Sequence, residues 1–173
     1  VLEWCMALAG PTAGALLAEM GAEVITIERP GAVRFGAREP LGGDATRTQR
    51  QGPQRQRLGG MDQYEYVIRN KKSITIDMTK EKGMEVAHRI VAKSDVFHTS
   101  LRTEALNRHR MDYETLSRLN PRLVYSMISG LGPEGPSRDQ RTSDFISQGY
   151  SSMMYVLGES EAPAPQAPFL GVV

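Results

Sequence analysis

The hydrophobic and polar pattern at the start of the chain predicts a strand, a helix and a second strand in succession. Residues 12–20 are rich in alanine and leucine, which are good helix formers, and Pro11 suits the first helical turn. Gly21 supplies the left-handed position that commonly ends a helix. Residues 23–28 alternate and carry β-branched side chains, which favour a strand. Such a βαβ opening is typical of Rossmann-like sheets, which bind ligands at the carboxyl ends of their strands.

The rest of the chain continues this alternation. The pattern predicts strands over residues 73–77, 96–98 and 123–129, the last being the clearest buried strand. It predicts helices over residues 80–93 with Thr79 as N-cap, over 104–109, over 112–119, and from Ser143 or Asp144 to 156 or 157. Residues 63–68 are ambiguous, a short helix being one interpretation. The alternation predicts the α/β class: a Rossmann-like, mainly parallel sheet with flanking helices and right-handed crossovers.

Two stretches lack this patterning. Residues 30–60 are rich in glycine, arginine and glutamine and hold few large apolar residues, so a surface loop and a functional lid are both open. Residues 163–168 carry three prolines, which predict an extended linker. The chain begins directly on a strand without methionine and stops just after the proline-rich segment. We therefore expect residues 1–173 to be one portion of a larger domain, truncated at both ends.

Composition and charge narrow the function classes. The 173 residues are 40% hydrophobic and 24% charged, as in globular proteins, and the net charge of +1 argues against a general nucleic-acid binder. Cys5 is the single cysteine, which excludes an internal disulfide framework and suits a reducing compartment such as the cytoplasm. No apolar run approaches the roughly 20 residues that a membrane span needs. We expect no nucleic-acid or membrane partner.

Candidate anion-binding side chains stand beside the predicted strand and helix ends. They are Arg29, Asn70, Lys71, Lys72, Arg102 and Arg108. Cations and free backbone N–H groups at such places can hold phosphates. Taken singly, each is better explained as a solvated surface residue. Taken together, they predict a polyanionic ligand lying across one edge of the sheet.

No catalytic or metal-binding pattern stands out. The three histidines, His88, His98 and His109, have no carboxylate or cysteine at a readable spacing, and we interpret Cys5 as a small buried residue rather than a nucleophile. The chain has no P-loop, zinc-ligand pattern or nucleophile elbow. A nicotinamide-binding domain would need a fuller glycine fingerprint than Gly10 provides.

A set of ordered segments carries a resemblance to a known family. The segments are 8–11 (LAGP), 17–25 (LAEMGAEVI), 27–31 (IERPG), 69–74 (RNKKSI), 94–96 (SDV), 119–125 (LNPRLVY) and 128–136 (ISGLGPEGP). In this order they resemble the start of class III CoA-transferases, the family of formyl-CoA:oxalate and carnitine CoA-transferases that also includes α-methylacyl-CoA racemases. The resemblance covers nearly the whole chain.

The resemblance implies a Rossmann-like large domain that binds an acyl-CoA thioester as substrate, with no permanently bound cofactor. The implied partners are acyl-CoA, a carboxylic acid and a second copy of the chain in an interlocked homodimer. The Ala9-Gly10 turn would approach CoA by its backbone. The implied contacts to the nucleotide and phosphates are Arg29, Asn70, Lys71 or Lys72, Arg102 and Arg108.

The resemblance also implies where the chemistry lies. The family's nucleophile is an aspartate that forms anhydride and enzyme–CoA thioester intermediates, and we expect it just beyond Val173. Two departures matter: residues 99–104 replace a segment that many members carry as ENFRPG, and Ser143 stands where racemases place a catalytic histidine. CoA transfer is the leading hypothesis. The alternatives are an acyl-CoA racemase or isomerase and a catalytically inactive CoA-binding subunit.

Overall fold

The computed structural model describes residues 1–6, 9–30, 57–58, 61–62, 65–138, 140 and 142–157. The chain divides into two compact units, Val1–Met127 and Ile128–Val173. Most of the glycine-rich stretch (31–56, 59 and 60) and the proline-rich linker predicted within 158–173 lie outside the described residues. Within the described part, no helix is long and apolar enough to cross a membrane.

The first unit contains a five-stranded parallel sheet. Its strands are β1 (Leu2–Trp4), β2 (Ile25–Glu28), β5 (Lys72–Thr75), β6 (Val96–Thr99) and β7 (Val124–Met127), in the order β5-β2-β1-β6-β7. Two short strands, β3 (Arg57–Leu58) and β4 (Met61–Asp62), form a separate antiparallel pair. The helices of this unit are α1 (Ala9–Glu19), α2 (Glu65–Ile68), α3 (Glu81–Val91), α4 (Thr103–Arg108) and α5 (Tyr113–Leu119). The α/β class and the parallel sheet are confirmed.

Helix α1 connects β1 to β2 and carries small residues on the face that it buries. Gly10, Gly14, Ala15 and Ala18 form that face. Small side chains allow the helix to lie close to the sheet. The helix ends as predicted, because Gly21 has a φ of 95° and its N–H donates to the carbonyl of Ala18 at 3.1 Å.

The hydrophobic core lies between one face of the sheet and the helices that cover it. Leu2, Ile27 and Phe97 contribute from three neighbouring strands and are at most 4% exposed. The α3 residues Ala87 and Val91 are fully buried against them. This stripe on α3 matches the apolar spacing seen in the sequence. The core therefore fixes the sheet on which the candidate site is built.

Three local predictions are wrong. Strand β7 lies at the sheet edge rather than fully buried, and its Val124 is 59% exposed. Thr79 does not cap α3; its N–H and hydroxyl donate to the Asp77 carboxylate at 3.0 and 2.6 Å and close a turn instead. The final helix is two helices, α6 (Asp144–Tyr150) and α7 (Met153–Leu157), because Ser152 at φ 62° interrupts the helical backbone between them.

Candidate functional site

The strand order identifies one position at the carboxyl edge of the sheet where a ligand site is expected. From β1 the chain passes through α1 to β2 on one side, while β6 and β7 lie on the other side. The direction of winding therefore changes between β1 and β6. In open parallel sheets of this kind, ligands bind in the crevice outside the carboxyl ends of the strands at such a switch point.

Four predicted site residues lie at this carboxyl edge. Ala9 and Gly10 form the start of α1, which follows β1. Arg29 comes directly after β2 and Arg102 comes shortly after β6, and both side chains are exposed. The structure thus places the first turn of α1 and two exposed arginines at the same edge of the sheet, after neighbouring strands. Arg108 lies farther along, at the end of α4, with its guanidinium 3.4 Å from the Glu104 carboxylate on the exposed helix surface.

The other predicted anion-binding residues lie at the amino ends of the strands, opposite the carboxyl edge. Asn70, Lys71 and Lys72 lead into the amino end of β5, so the strand separates them from the edge that carries Arg29 by roughly 10 Å of backbone. The prediction that all the basic positions lie along one edge is therefore wrong. Asn70 has a φ of 58°, a conformation that asparagine tolerates well. Exposed Lys72 donates to the Glu23 carboxylate, and this hydrogen bond lowers the pKa of Glu23 below its usual value.

Lys71 points into the protein. Its ammonium donates to both carboxylate oxygens of Glu3, at 2.9 and 2.7 Å, and to the Pro11 carbonyl at 2.7 Å. The side chains of Lys71 and Glu3 are only 4% and 1% exposed. A lysine ammonium has three N–H donors, so these three acceptors match its full capacity. Among the predicted anion-binding residues, Lys71 is thus the one whose charge is met inside the protein.

His98 makes a second buried contact to the same helical turn. Its Nε2 donates to the Gly10 carbonyl at 3.1 Å, since a carbonyl oxygen can only accept. Its Nδ1 lies 3.0 Å from the Ser126 hydroxyl, and the residue is 3% exposed. We did not predict this role from the sequence. A histidine directly after the apolar pair Val96 and Phe97, inside a predicted strand, was the available signal.

The loops after β1 and β6 are joined by a set of hydrogen bonds at the switch point. The Ser100 hydroxyl accepts from the Met6 N–H at 2.8 Å and donates to the Met6 carbonyl at 3.0 Å. The Thr99 hydroxyl donates to the Trp4 carbonyl at 2.8 Å. A Cβ atom added to Gly10 would lie 2.6 Å from the Cys5 sulfur, so only glycine fits there. The loops that follow β1 and β6 are therefore closely packed and held against each other.

The surroundings of Cys5 make its thiol a poor nucleophile. Burial and the nearby Glu3 carboxylate raise the pKa of its thiol to about 12. The thiolate, which is the nucleophilic form, is therefore scarce at neutral pH. The described residues contain no group of three or more His, Cys, Asp or Glu that could hold a metal ion. Of the remaining histidines, His88 and His109 contact backbone carbonyls at 2.8 Å, which gives each of them a structural role.

Sequence comparison assigns the chain to a family. Residues 1–173 match the profile of CoA-transferase family III. A succinate–glutarate CoA-transferase of Agrobacterium fabrum is 35% identical over 172 residues, which cover 96% of this chain and 40% of that protein. A cinnamoyl-CoA:phenyllactate CoA-transferase of Clostridium sporogenes is 35% identical over 99% of this chain and 40% of that protein.

Solved structures agree with the sequence comparison. A CAIB/BAIF family protein from Brucella suis superimposes with a TM-score of 0.73 and 34% identity, covering 99% of this chain and 43% of that one. A hypothetical protein from Mycobacterium tuberculosis gives a TM-score of 0.72 and 25% identity, over 99% and 44% of the two chains. The chain thus spans about 40% of the length of the two curated relatives. By its sequence and its fold, this chain belongs to CoA-transferase family III.

Proposed function

We propose that this chain takes part in moving CoA from an acyl-CoA thioester to a carboxylic acid, and that it supplies the binding surface for CoA. The names of the relatives support the reaction class, since they describe CoA-transferases acting on succinate and glutarate or on cinnamoyl-CoA and phenyllactate. CoA is then a substrate rather than a resident cofactor. We also propose, from the resemblance, an interlocked homodimer in the cytoplasm.

The site assignment rests on one observation: the first turn of α1 and two exposed arginines follow neighbouring strands at the carboxyl edge of the sheet, next to the switch point. The first N–H groups of a helix have no intrahelical acceptors, and the helix dipole makes this end positive. A phosphate there would receive backbone N–H groups of Ala9 and Gly10. Arg29 and Arg102 follow the strands on either side of β1 and would add charge-assisted hydrogen bonds.

The remaining predicted contacts take a smaller part in this proposal. Asn70 and Lys72 lie at the amino edge of the sheet, so CoA would have to extend beyond the switch point to meet them. Arg108, at the end of α4, would contact CoA if the ligand extends along the helix from Arg102. We assign no direct contact with CoA to Lys71, because its three donors already have acceptors inside the protein.

The covalent step in this proposal uses a carboxylate outside this chain. An aspartate just beyond Val173, the position that the resemblance implies, would attack the thioester carbonyl and release CoA as a thiolate, leaving an acyl anhydride. The thiolate would then attack the aspartyl carbonyl to form an enzyme–CoA thioester and free the first acid. The second acid would repeat these steps in reverse. This chain's part is to hold CoA while the thiolate leaves and returns.

The test of the reaction is a transfer assay with the full-length protein. Succinyl-CoA is offered with a panel of carboxylic acids, and new acyl-CoA products are identified by liquid chromatography and mass spectrometry. We expect transfer to at least one acid. Racemisation of a 2-methylacyl-CoA without any transfer would instead select the racemase alternative, which Ser143 disfavours. Binding of CoA with neither activity would select the inactive-subunit alternative.

The test of the site uses three matched arginine variants. Arg29→Ala and Arg102→Ala should each raise the Kd for CoA roughly 10- to 100-fold, the range expected for the loss of one charge-assisted hydrogen bond. Arg89→Ala is the control, since Arg89 is an exposed arginine in the last turn of α3. We expect its affinity to stay within about twofold of the wild type. An unchanged Kd in both test variants would remove the two arginines from the site.

A further inference from the structure

We propose that Lys71 and His98 are positioning residues, which hold the first turn of α1 in the orientation that binds the CoA phosphates. The inference rests on the proposed function, because it assumes that this turn meets CoA. Lys71 then acts through the helix rather than directly on the ligand. The contacts of two buried side chains carry it.

The two side chains hold neighbouring carbonyls from opposite sides of β1. Lys71 leads into β5 and donates to the Pro11 carbonyl at 2.7 Å. His98, in β6, donates to the Gly10 carbonyl at 3.1 Å. Carbonyls in the first turn of a helix already accept the N–H groups of the following turn. The added donors are thus not needed to satisfy the backbone, but they do fix where the turn lies.

A fixed carboxylate in turn fixes the Lys71 ammonium. Glu3 accepts two hydrogen bonds from Lys71 and a third from the Thr26 hydroxyl at 3.1 Å. Gly14 lets α1 lie directly on this group, since a Cβ atom there would come within 1.7 Å of the Glu3 carboxylate. The network therefore ties β1, β2, the entry to β5 and the first turn of α1 into one unit.

A buried ion pair is not explained by stability alone. Removing two charges from water costs about as much free energy as their attraction returns, so apolar residues could fill the same space equally well. Directional contacts are what apolar residues would not supply. Anion binding at a helix end depends on the direction of its N–H groups, and holding them in place before the ligand arrives lowers the entropic cost of binding.

The test separates positioning from direct charge contact. In the full-length protein, Glu3→Gln/Lys71→Met removes the ion pair and the Pro11 contact while leaving the net charge unchanged, and the introduced amide oxygen remains an acceptor for Thr26. The Kd for free CoA is measured by calorimetry at several salt concentrations, with circular dichroism as a check on folding. We expect a Kd about three- to tenfold higher, with the salt dependence of the wild type. Arg29→Ala, by contrast, should weaken binding and flatten the salt dependence.

A second charge-neutral variant covers the case in which the first does not fold. His98→Leu/Ser126→Ala removes the contact to the Gly10 carbonyl without leaving the Ser126 hydroxyl facing an apolar side chain. We expect the same moderate rise in Kd at unchanged salt dependence. A folded variant of either kind that binds CoA as tightly as the wild type would overturn the inference, as would a flattened salt dependence in the first variant. Failure of the wild type to bind CoA at all would instead overturn the proposed function.

Discussion

Replacing Lys71 with methionine should destabilise the protein by about 3–5 kcal/mol, the range measured when one partner of a buried ion pair is removed. The structure places this change in that range because the Glu3 carboxylate is 1% exposed and loses both of its lysine hydrogen bonds. The Thr26 hydroxyl is then the single side-chain donor that the described contacts leave to it. Burying a carboxylate lowers the stability of the folded protein unless an opposite charge and hydrogen bonds compensate for its lost hydration.

The neighbouring lysine supplies the matched control. Lys72 also pairs with a carboxylate, that of Glu23, but the two side chains are 70% and 65% exposed. Exposed pairs contribute little to stability, because water and salt screen them. Lys72→Met should therefore leave the free energy of unfolding close to that of the wild type. Restoring charge balance in Glu3→Gln/Lys71→Met should recover most of the stability lost in Lys71→Met alone.

The assay is urea unfolding of the full-length protein followed by circular dichroism, with the three variants and the wild type compared at one pH. Lys71→Met should be the least stable of the four proteins, and Lys72→Met should be close to the wild type. Equal midpoints for the two single variants would show that the ion pair is not buried as described. A double variant no more stable than Lys71→Met would show that the cost lies in the lost Pro11 contact rather than in the unpaired charge.

Three further outcomes follow from the described contacts. Gly14→Ala should lower the melting temperature, at a cost of about 1–3 kcal/mol for overpacking, whereas Gly149→Ala in α6, where a Cβ meets nothing within 4 Å, should not. Asp112→Ala should cost about 1 kcal/mol, because Asp112 accepts from the Thr115 N–H at the start of α5. Burial tends to raise the pKa of Asp112, yet the hydrogen bonds from Thr115 hold it below its usual value. The cap's contribution from the ionised carboxylate is therefore complete above about pH 4, and the stability difference between variant and wild type should shrink as the pH falls below that value. Cys5, with a thiol pKa of about 12, should resist iodoacetamide at pH 8 until the protein is unfolded, as peptide mass mapping would show; rapid labelling of the native protein would contradict this.

The alternation of elements could be predicted from the sequence because each element carries its own local signal. Alanine and leucine over residues 12–20, a proline before them and Gly21 after them determine α1 almost without reference to the rest of the chain. The boundaries differ by a few residues, since the helix begins at Ala9, two residues before the proline that was expected in its first turn. The parallel arrangement could be predicted from the alternation of strands and helices, because neighbouring parallel strands must be joined by a crossover, which is usually a helix.

The exposure of β7 could not be predicted in the same way. Its apolar run is typical of a strand covered on both faces, yet strand order places it at one edge of the five-stranded sheet. Strand order depends on which faces and edges pair, and this is a property of the whole chain. The interruption at Ser152 was equally invisible, since serine gives no strong local signal for a left-handed backbone.

The sequence by itself determined the family, the α/β class and the positions of the basic residues along the chain. Only the tertiary structure decided which of those residues lie at the same edge of the sheet. Arg29 and Arg102 follow the carboxyl ends of strands on either side of β1, whereas Lys72 precedes β5 and lies at the other edge. Lys71 and Lys72 are adjacent in sequence, yet alternation along the chain sends one ammonium to Glu3 inside the protein and the other to Glu23 on the surface. Charge can be counted from a sequence, but its environment is set by neighbours that only folding brings together.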